Sequence, residues 1–191
     1  MSDDIFYECP RLKKEMERVS GFPLSFIVGG TGYGKSALAR HFLSYHEDKS
    51  LYFLFTGHDL SAQYERFLLL LEKRNHELAD NLRLLPFPQD EWSFLRVSEL
   101  LKHSLPKDDF YLCLDDAQEM NDNPAFSFFL KSLEKEKIPS LHLIIITREL
   151  PPLAIENARL KGEIGVIDGK SLALNENEAK EYLHFRGLDL G

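Results

Sequence analysis

Residues 29–36 read Gly29-Gly30-Thr31-Gly32-Tyr33-Gly34-Lys35-Ser36 and match G-x-x-x-x-G-K-[ST] without a gap. These residue types at this spacing suit one chemistry, the gripping of a phosphate chain. The glycines let backbone N–H groups close around an anion, and a helix starting at the end of the loop adds its unpaired N–H groups and the positive end of its dipole. Lys35 would reach the β- and γ-phosphates of a nucleotide, and the Ser36 hydroxyl would ligate Mg2+. The expected cradle runs from Gly29 through Gly30, Thr31, Gly32, Tyr33, Gly34, Lys35 and Ser36 to Ala37. A string of this kind arises by chance in roughly 1% of chains this long. The bland alternative is a glycine-rich turn that holds nothing. It is disfavoured by the flanks, an apolar strand-like run at 24–28 and a helical pattern at 37–45.

A second group of residues completes the expected site. The apolar run 110–114 ends in Asp115-Asp116. A hydrophobic strand delivering an acid at its C-terminal end is what a P-loop site needs to hold its metal. Asp115 would bind Mg2+ through a water, opposite Ser36. Asp116 is placed to polarise an attacking water and is the candidate general base. Asp116-Ala117-Gln118-Glu119 also fits a capping box, so Asp116 could simply cap a short helix, and both roles could hold. Another apolar run, 141–146, ends in Thr147-Arg148. Ligands of doubly wound sheets sit beyond the carboxyl ends of the strands. If this strand lies beside the P-loop strand, the Thr147 hydroxyl and the Arg148 guanidinium could sense a γ-phosphate. The plainer reading is a surface arginine paired with Glu149 or another acid.

These residues need elements to hold them. Leu12, Met16 and Val19 mark an amphipathic helix that opens at Pro10 and ends at Gly21. Further strands are expected at 51–55 and 163–167, and further helices at 61–75, 91–105, 124–135 and 175–185. The segment 82–89 carries Pro86 and Pro88 and reads as a loop. Strand and helix alternation of this kind means an α/β fold with a mostly parallel five-stranded sheet covered by helices on both faces, and the motif at 29–36 makes the expected form a P-loop NTPase three-layer sandwich. The 191 residues form one expected domain, with an N-terminal element at 1–21, a core at 22–170 and the start of a following helical region at 171–191.

Composition narrows the function classes. Hydrophobic residues make up 43% and charged residues 28%, as in soluble globular proteins. The net charge of −8 argues against this segment gripping a nucleic-acid backbone by itself. No run of 18 apolar residues exists to span a membrane, and the acidic start lacks the apolar stretch of a signal peptide. Cys9 and Cys113 suggest no disulfide framework, and Cys113 reads as a small buried residue. A cytoplasmic location follows as the expectation. The seven histidines show no metal-ligand spacing, and His41 and Tyr45, one turn apart, read as a surface or packing pair. Trp92 and the fourteen phenylalanines are expected in the core. GTP-specific proteins usually carry D-x-x-G after the metal acid and an N-K-x-D base reader. Neither is present, so the expected cofactors are ATP or ADP with Mg2+.

Taken together, these features resemble the nucleotide-binding (NB-ARC/NACHT-like) domain of STAND ATPases, specifically the MalT-like, LuxR-type transcriptional regulators. The P-loop through Ala37-Leu38, the Asp115-Asp116 pair and the segment Ile145-Ile146-Thr147-Arg148-Glu149-Leu150-Pro151-Pro152-Leu153 look like the family's motifs. Arg159-Leu160-Lys161-Gly162-Glu163-Ile164 is similar to the arginine-glycine segment that follows. Pro10-Arg11-Leu12 resembles the short N-terminal element that lies against the adenine, and 175–179 resembles the polar start of the next helix. There are departures. Cys9 and Asn157 stand where arginine is common, and Leu51-Tyr52 replaces the usual tryptophan of the second strand. The resemblance implies a switch: ADP holds a resting monomer, ATP with an inducer permits self-association and transcription activation, and slow hydrolysis resets the state. It also implies a longer parent with winged-helix, sensor and DNA-binding domains, of which these residues are either an excised domain or a short stand-alone relative. The rival functions are an AAA-type ATP-driven motor or loader, a small-molecule phosphotransferase, and a non-catalytic nucleotide-binding scaffold. The phosphotransferase is disfavoured because 151–170 lacks an arginine-rich lid.

Overall fold

The structure is a computed structural model that describes residues 6–150 and 155–188, with backbone only at 155–157. Five apolar runs become strands: β1 (Leu24–Val28), β2 (Ser50–Leu54), β3 (Phe110–Asp115), β4 (Leu141–Thr147) and β5 (Gly165–Ile167). They pair in the order β2-β3-β4-β1-β5, and every pairing is parallel. Parallel strands need crossovers that cover both faces, so the central strand β4 is buried on both sides. Phe26 of β1 and Ile145 of β4 enter one core, while Ile27, Ile144 and Ile146 enter the core on the opposite face.

Two helices pack on the second face, α1 (Pro10–Ser20) and α2 (Lys35–Ser44), through Met16, Val19, Leu38 and Phe42. The other face carries α3 (Leu60–Glu72), α4 (His76–Arg83), α5 (Glu91–Ser104) and α6 (Pro124–Lys135), joined by Ala158 of α7 (Ile155–Leu160). The chain closes with α8 (Gly169–Leu172) and α9 (Glu176–Phe185). This is the expected α/β three-layer sandwich. Polar residues start the helices. Asp59, Asn75, Asp90 and Asn123 each accept hydrogen bonds from backbone N–H groups of the helix that follows. Asn175 and Glu178 form a reciprocal capping box on α9. Gly165 lets α1 approach β5, because a Cβ there would lie 2.8 Å from the Val19 Cβ and 2.8 Å from the Ser25 Oγ.

Some expectations need correction. A helix at 76–83 was not anticipated, although Asn75 caps it and Leu78, Ala79 and Leu82 bury its apolar side. The predicted loop therefore shortens, and the last strand covers only three residues. Trp92 is not a core residue; it is 73% exposed. The buried side of α5 is set by Phe94 and Val97, and a residue two positions before Phe94 falls on the far side of a 3.6-residue turn. Phe26, Phe42, Phe53, Phe55, Phe94 and Phe126 are buried as expected, but Phe185 is exposed. Cys9 and Cys113 are both free and buried, and burial pushes the Cys113 thiol well up. Residues 1–5, 151–154 and 189–191 lie outside the described residues, so the Pro151-Pro152-Leu153 part of the motif and the side chain of Asn157 have no structural counterpart here.

Candidate nucleotide-binding site

The match at 29–36 sits where it must, between the end of β1 and the first residue of α2. Gly32 (φ 85°) and Gly34 (φ 73°) take left-handed conformations that other residues rarely adopt. Gly34 stands at the N-cap of α2 with no side chain to cap it, so the first N–H groups of the helix face the loop. The Lys35 ammonium folds back over this loop and donates to the carbonyls of Gly29 (2.7 Å) and Gly30 (2.8 Å). Burial lowers its pKa and the Arg148 charge adds to this, while Asp115 and Asp116 act in the opposite direction. Lys35 thus lies within electrostatic reach of Asp115, Asp116 and Arg148. Thr31 and Ala37 are exposed, and Ser36 is half-buried on the first turn of α2.

Tyr33 is 49% exposed, but its ring is packed against glycine. A Cβ on Gly30 would meet its Cε2 at 3.4 Å, and one on Gly169 would meet its Cε1 at 3.6 Å. A Cβ on Gly29 would meet the Leu172 Cδ1 at 3.3 Å. The short α8 therefore forms one wall of the loop. Its residues carried no motif, and only the three-dimensional closure brings them here.

β4 lies between β1 and β3, so the condition set on Thr147 and Arg148 is met. Thr147 is opposite Val28, and Asp115 ends the next strand over. Thr147 is fully buried, and its hydroxyl donates to the Glu149 carbonyl at 3.0 Å. Its own carbonyl accepts from the Gly29 N–H at 3.3 Å, which ties the loop to β4. Arg148 is exposed and forms no ion pair among the described residues, so the alternative of a pairing with Glu149 or another acid is not observed among them.

Asp115 is 2% exposed. Its Oδ1 accepts from the Asp116 N–H at 2.8 Å, and its Oδ2 accepts a short hydrogen bond from the Tyr52 hydroxyl. Tyr52 accepts in turn from Arg40 Nη2 at 2.9 Å, and the Arg40 guanidinium lies 4.9 Å from its ring centroid. Neither Tyr52 nor Arg40 was found from sequence as part of the site, although Tyr52 stood out as a departure from the family pattern. Asp116 is exposed and left-handed (φ 53°), and its side chain makes no cap bond. The capping-box alternative therefore does not form. Instead Asp116 Oδ1 accepts from Gln118 Nε2 at 2.8 Å. The Gln118 Oε1 is buried without a hydrogen-bond partner.

The adenine-side candidates are placed differently from one another. Pro10 is exposed at the first position of α1. The Arg11 guanidinium is committed to the C-terminal elements: it donates to Glu178 at 2.8 and 2.9 Å, to the Ala173 carbonyl at 2.9 Å, and to the Ser171 carbonyl. It thereby fastens α1 to α9 and to α8, which borders the P-loop. Among the described residues no cluster of three or more His, Cys, Asp or Glu could hold a metal. Mg2+ suits what is present, because it takes one or two protein oxygens and draws the rest from phosphates and water. The Ser36 hydroxyl would supply one such oxygen directly, and the Asp115 carboxylate would hold the ion through a water.

No family model matches the chain. Two curated relatives, both the HTH-type transcriptional regulator MalT of Klebsiella pneumoniae strains, are 22% identical over 179 residues. The match covers 92% of this chain but 20% of each relative, so the chain spans about a fifth of the length of the relatives it matches. A STAND protein with a tetratricopeptide repeat sensor from Pyrococcus horikoshii superposes with a TM-score of 0.68 at 18% identity, over 98% of this chain and 26% of that one. The fold is that of a P-loop ATPase. A Walker-type ATPase of Pyrococcus abyssi shares it with a TM-score of 0.55 at 15% identity, over 100% of this chain and 61% of that one. The relatives by sequence and the neighbours by fold agree with the resemblance to a MalT-like nucleotide-binding domain. Among the described residues no helix is long and apolar enough to cross a membrane.

Proposed function

We propose that this chain is the ATP/ADP-binding switch domain of a signal-responsive transcriptional regulator. One observation carries the reading. The glycine loop with Lys35 and Ser36, the buried acid Asp115, and the Thr147-Arg148 step stand at the C-terminal ends of three strands that are neighbours in the sheet. Lys35 and the loop amides hold the phosphates, and Ser36 and Asp115 hold Mg2+, whose charge would offset that building up on a transferred phosphoryl group. Asp116, exposed beside Asp115, is the group that orients and deprotonates water. Arg148, carrying no partner acid among the described residues, answers to the γ-phosphate. Hydrolysis is slow, since a switch needs a long-lived ATP state, and the ATP state of the whole regulator self-associates. With its net charge of −8 this segment does not itself bind nucleic acid.

The test is calorimetric titration with ADP and with ATP, each with Mg2+, using Lys35→Ala as control. We expect binding that is lost in the variant, with ADP preferred in the resting state. Retained micromolar affinity in Lys35→Ala sinks the P-loop assignment. Asp116→Asn should keep ATP binding while phosphate release stops. Unchanged turnover would reduce Asp116 to a structural turn residue.

A further inference from the structure

Arg40 follows Ser36 by four residues on α2, so the two lie one turn apart on the same side of the helix. Tyr52 belongs to β2, next to the strand that ends in Asp115. The hydrogen bonds run from Arg40 to the Tyr52 oxygen and from the Tyr52 hydroxyl to Asp115. The guanidinium also rests on the Tyr52 ring. Asp115 is buried, and its other oxygen is fixed by the Asp116 amide. The carboxylate is thus held at both ends, and each oxygen keeps a second lone pair.

We propose that Arg40 and Tyr52 are positioning residues for the metal site, a two-residue brace that sets Asp115 relative to Ser36. The inference rests on the reading of Ser36 and Asp115 as the residues that hold magnesium, Ser36 directly and Asp115 through a water. It deepens that reading by assigning the orientation of the acid to two side chains outside the P-loop and acid motifs. The brace links the helix that carries Ser36 to the strand end that carries Asp115. Magnesium demands near-ideal octahedral geometry, so the placing of Ser36 and of the carboxylate that would hold one of its waters decides how well it binds. Partners that orient a metal's ligands typically change its affinity by about 10- to 100-fold when removed. Tyr52→Phe keeps the ring and removes the hydroxyl, and with it both the hydrogen bond donated to Asp115 and the one accepted from Arg40. Arg40→Gln removes the charge and the contact with the ring face.

The experiment is ADP titration of the whole chain in excess Mg2+ and in EDTA, for the wild type, both single variants and the double variant. The readout is the ratio of the two affinities, which reports the metal alone. Thermal melts run alongside show whether each variant is folded. We expect the ratio to fall by about 10-fold in Tyr52→Phe. Arg40→Gln should move it in the same direction, and the double variant should lose less than the two single losses combined. An unchanged ratio in folded Tyr52→Phe overturns the brace, even when both affinities drop equally, because an equal drop marks a purely structural role. If Tyr52→Phe does not fold, the ratio in Arg40→Gln decides alone. If the wild type binds no nucleotide, the P-loop reading fails and the brace falls with it.

Discussion

At the residue scale, two glycines carry different constraints and should fail in different ways. Gly34 has nothing within 4 Å of where a Cβ would sit, so Gly34→Ala meets only the strain of φ 73°. That strain costs about 1–2 kcal/mol for an L-residue, readable as a lower midpoint in urea unfolding. It also pulls the loop out of shape, so nucleotide affinity should fall with it. Gly165 meets atoms instead, at 2.8 Å from both Val19 and Ser25. Gly165→Ala should destabilise by about 1–3 kcal/mol through overpacking, with α1 displaced from β5. An unfolding free energy equal to that of the wild type would contradict this. The first glycine was visible in the sequence because the motif names it. The second was not, because its role depends on α1 crossing close above β5, and no local pattern in the chain announces that approach. Tyr52 was opaque for a related reason. A half-buried tyrosine is ordinary in a strand, and its function lies in a hydrogen bond to a residue 63 positions away.

At the scale of elements, α9 has no buried residue, so its attachment rests on a few polar and ring contacts. Arg11 grips Glu178, and Tyr7 donates to Glu181 at 2.9 Å while its ring meets Tyr182 and Phe185. The hydrogen bonds from Arg11 hold the Glu178 carboxyl at about 2, below its ordinary 4.5, with the Asn175 backbone amide helping against desolvation. A depressed acid contributes stability above its unfolded pKa and loses it as protons return. The α9 attachment should therefore be intact above about pH 4.5 and loosen as the pH falls towards 2, with faster amide hydrogen exchange in α9 as the sign. Glu178→Gln should show no such pH step, and a step that survives in that variant would remove Glu178 as its cause. Element types were legible in the sequence wherever apolar periodicity ran long, as in β4 and α5. The helix α4 was missed because eight residues between a long helix and a proline pair give a weak periodic signal, although its Asn75 cap was in plain view. Trp92 lies outside the core because its place on α5, two residues before Phe94, puts it on the solvent side.

At the scale of the whole molecule, the sheet is the spine, and β4 is its middle strand. Ile144 is fully buried there, against the core beneath α1 and α2. Ile144→Ala should cost about 2–5 kcal/mol in denaturant unfolding. A cost below 1 kcal/mol would mean that this core closes over the gap more readily than packed interiors do. The fold class was legible because the order of apolar runs and helical stripes dictates crossovers. The order of strands was not, since nothing in the run of residues tells β1 to seat itself between β4 and β5. That seating has a consequence for how the molecule comes into being. In the finished sheet β1 touches only β4 and β5, and β3 touches only β2 and β4. Until β4 docks, the glycine loop and the acid it serves therefore belong to separate pieces with no ladder between them. The pairing of Val28 with Thr147 spans 119 residues, a long loop to close and a slow kind of contact to make. A chain emerging from the ribosome should gain its grip on nucleotide in one late step, once residue 147 is free to fold, and not by degrees.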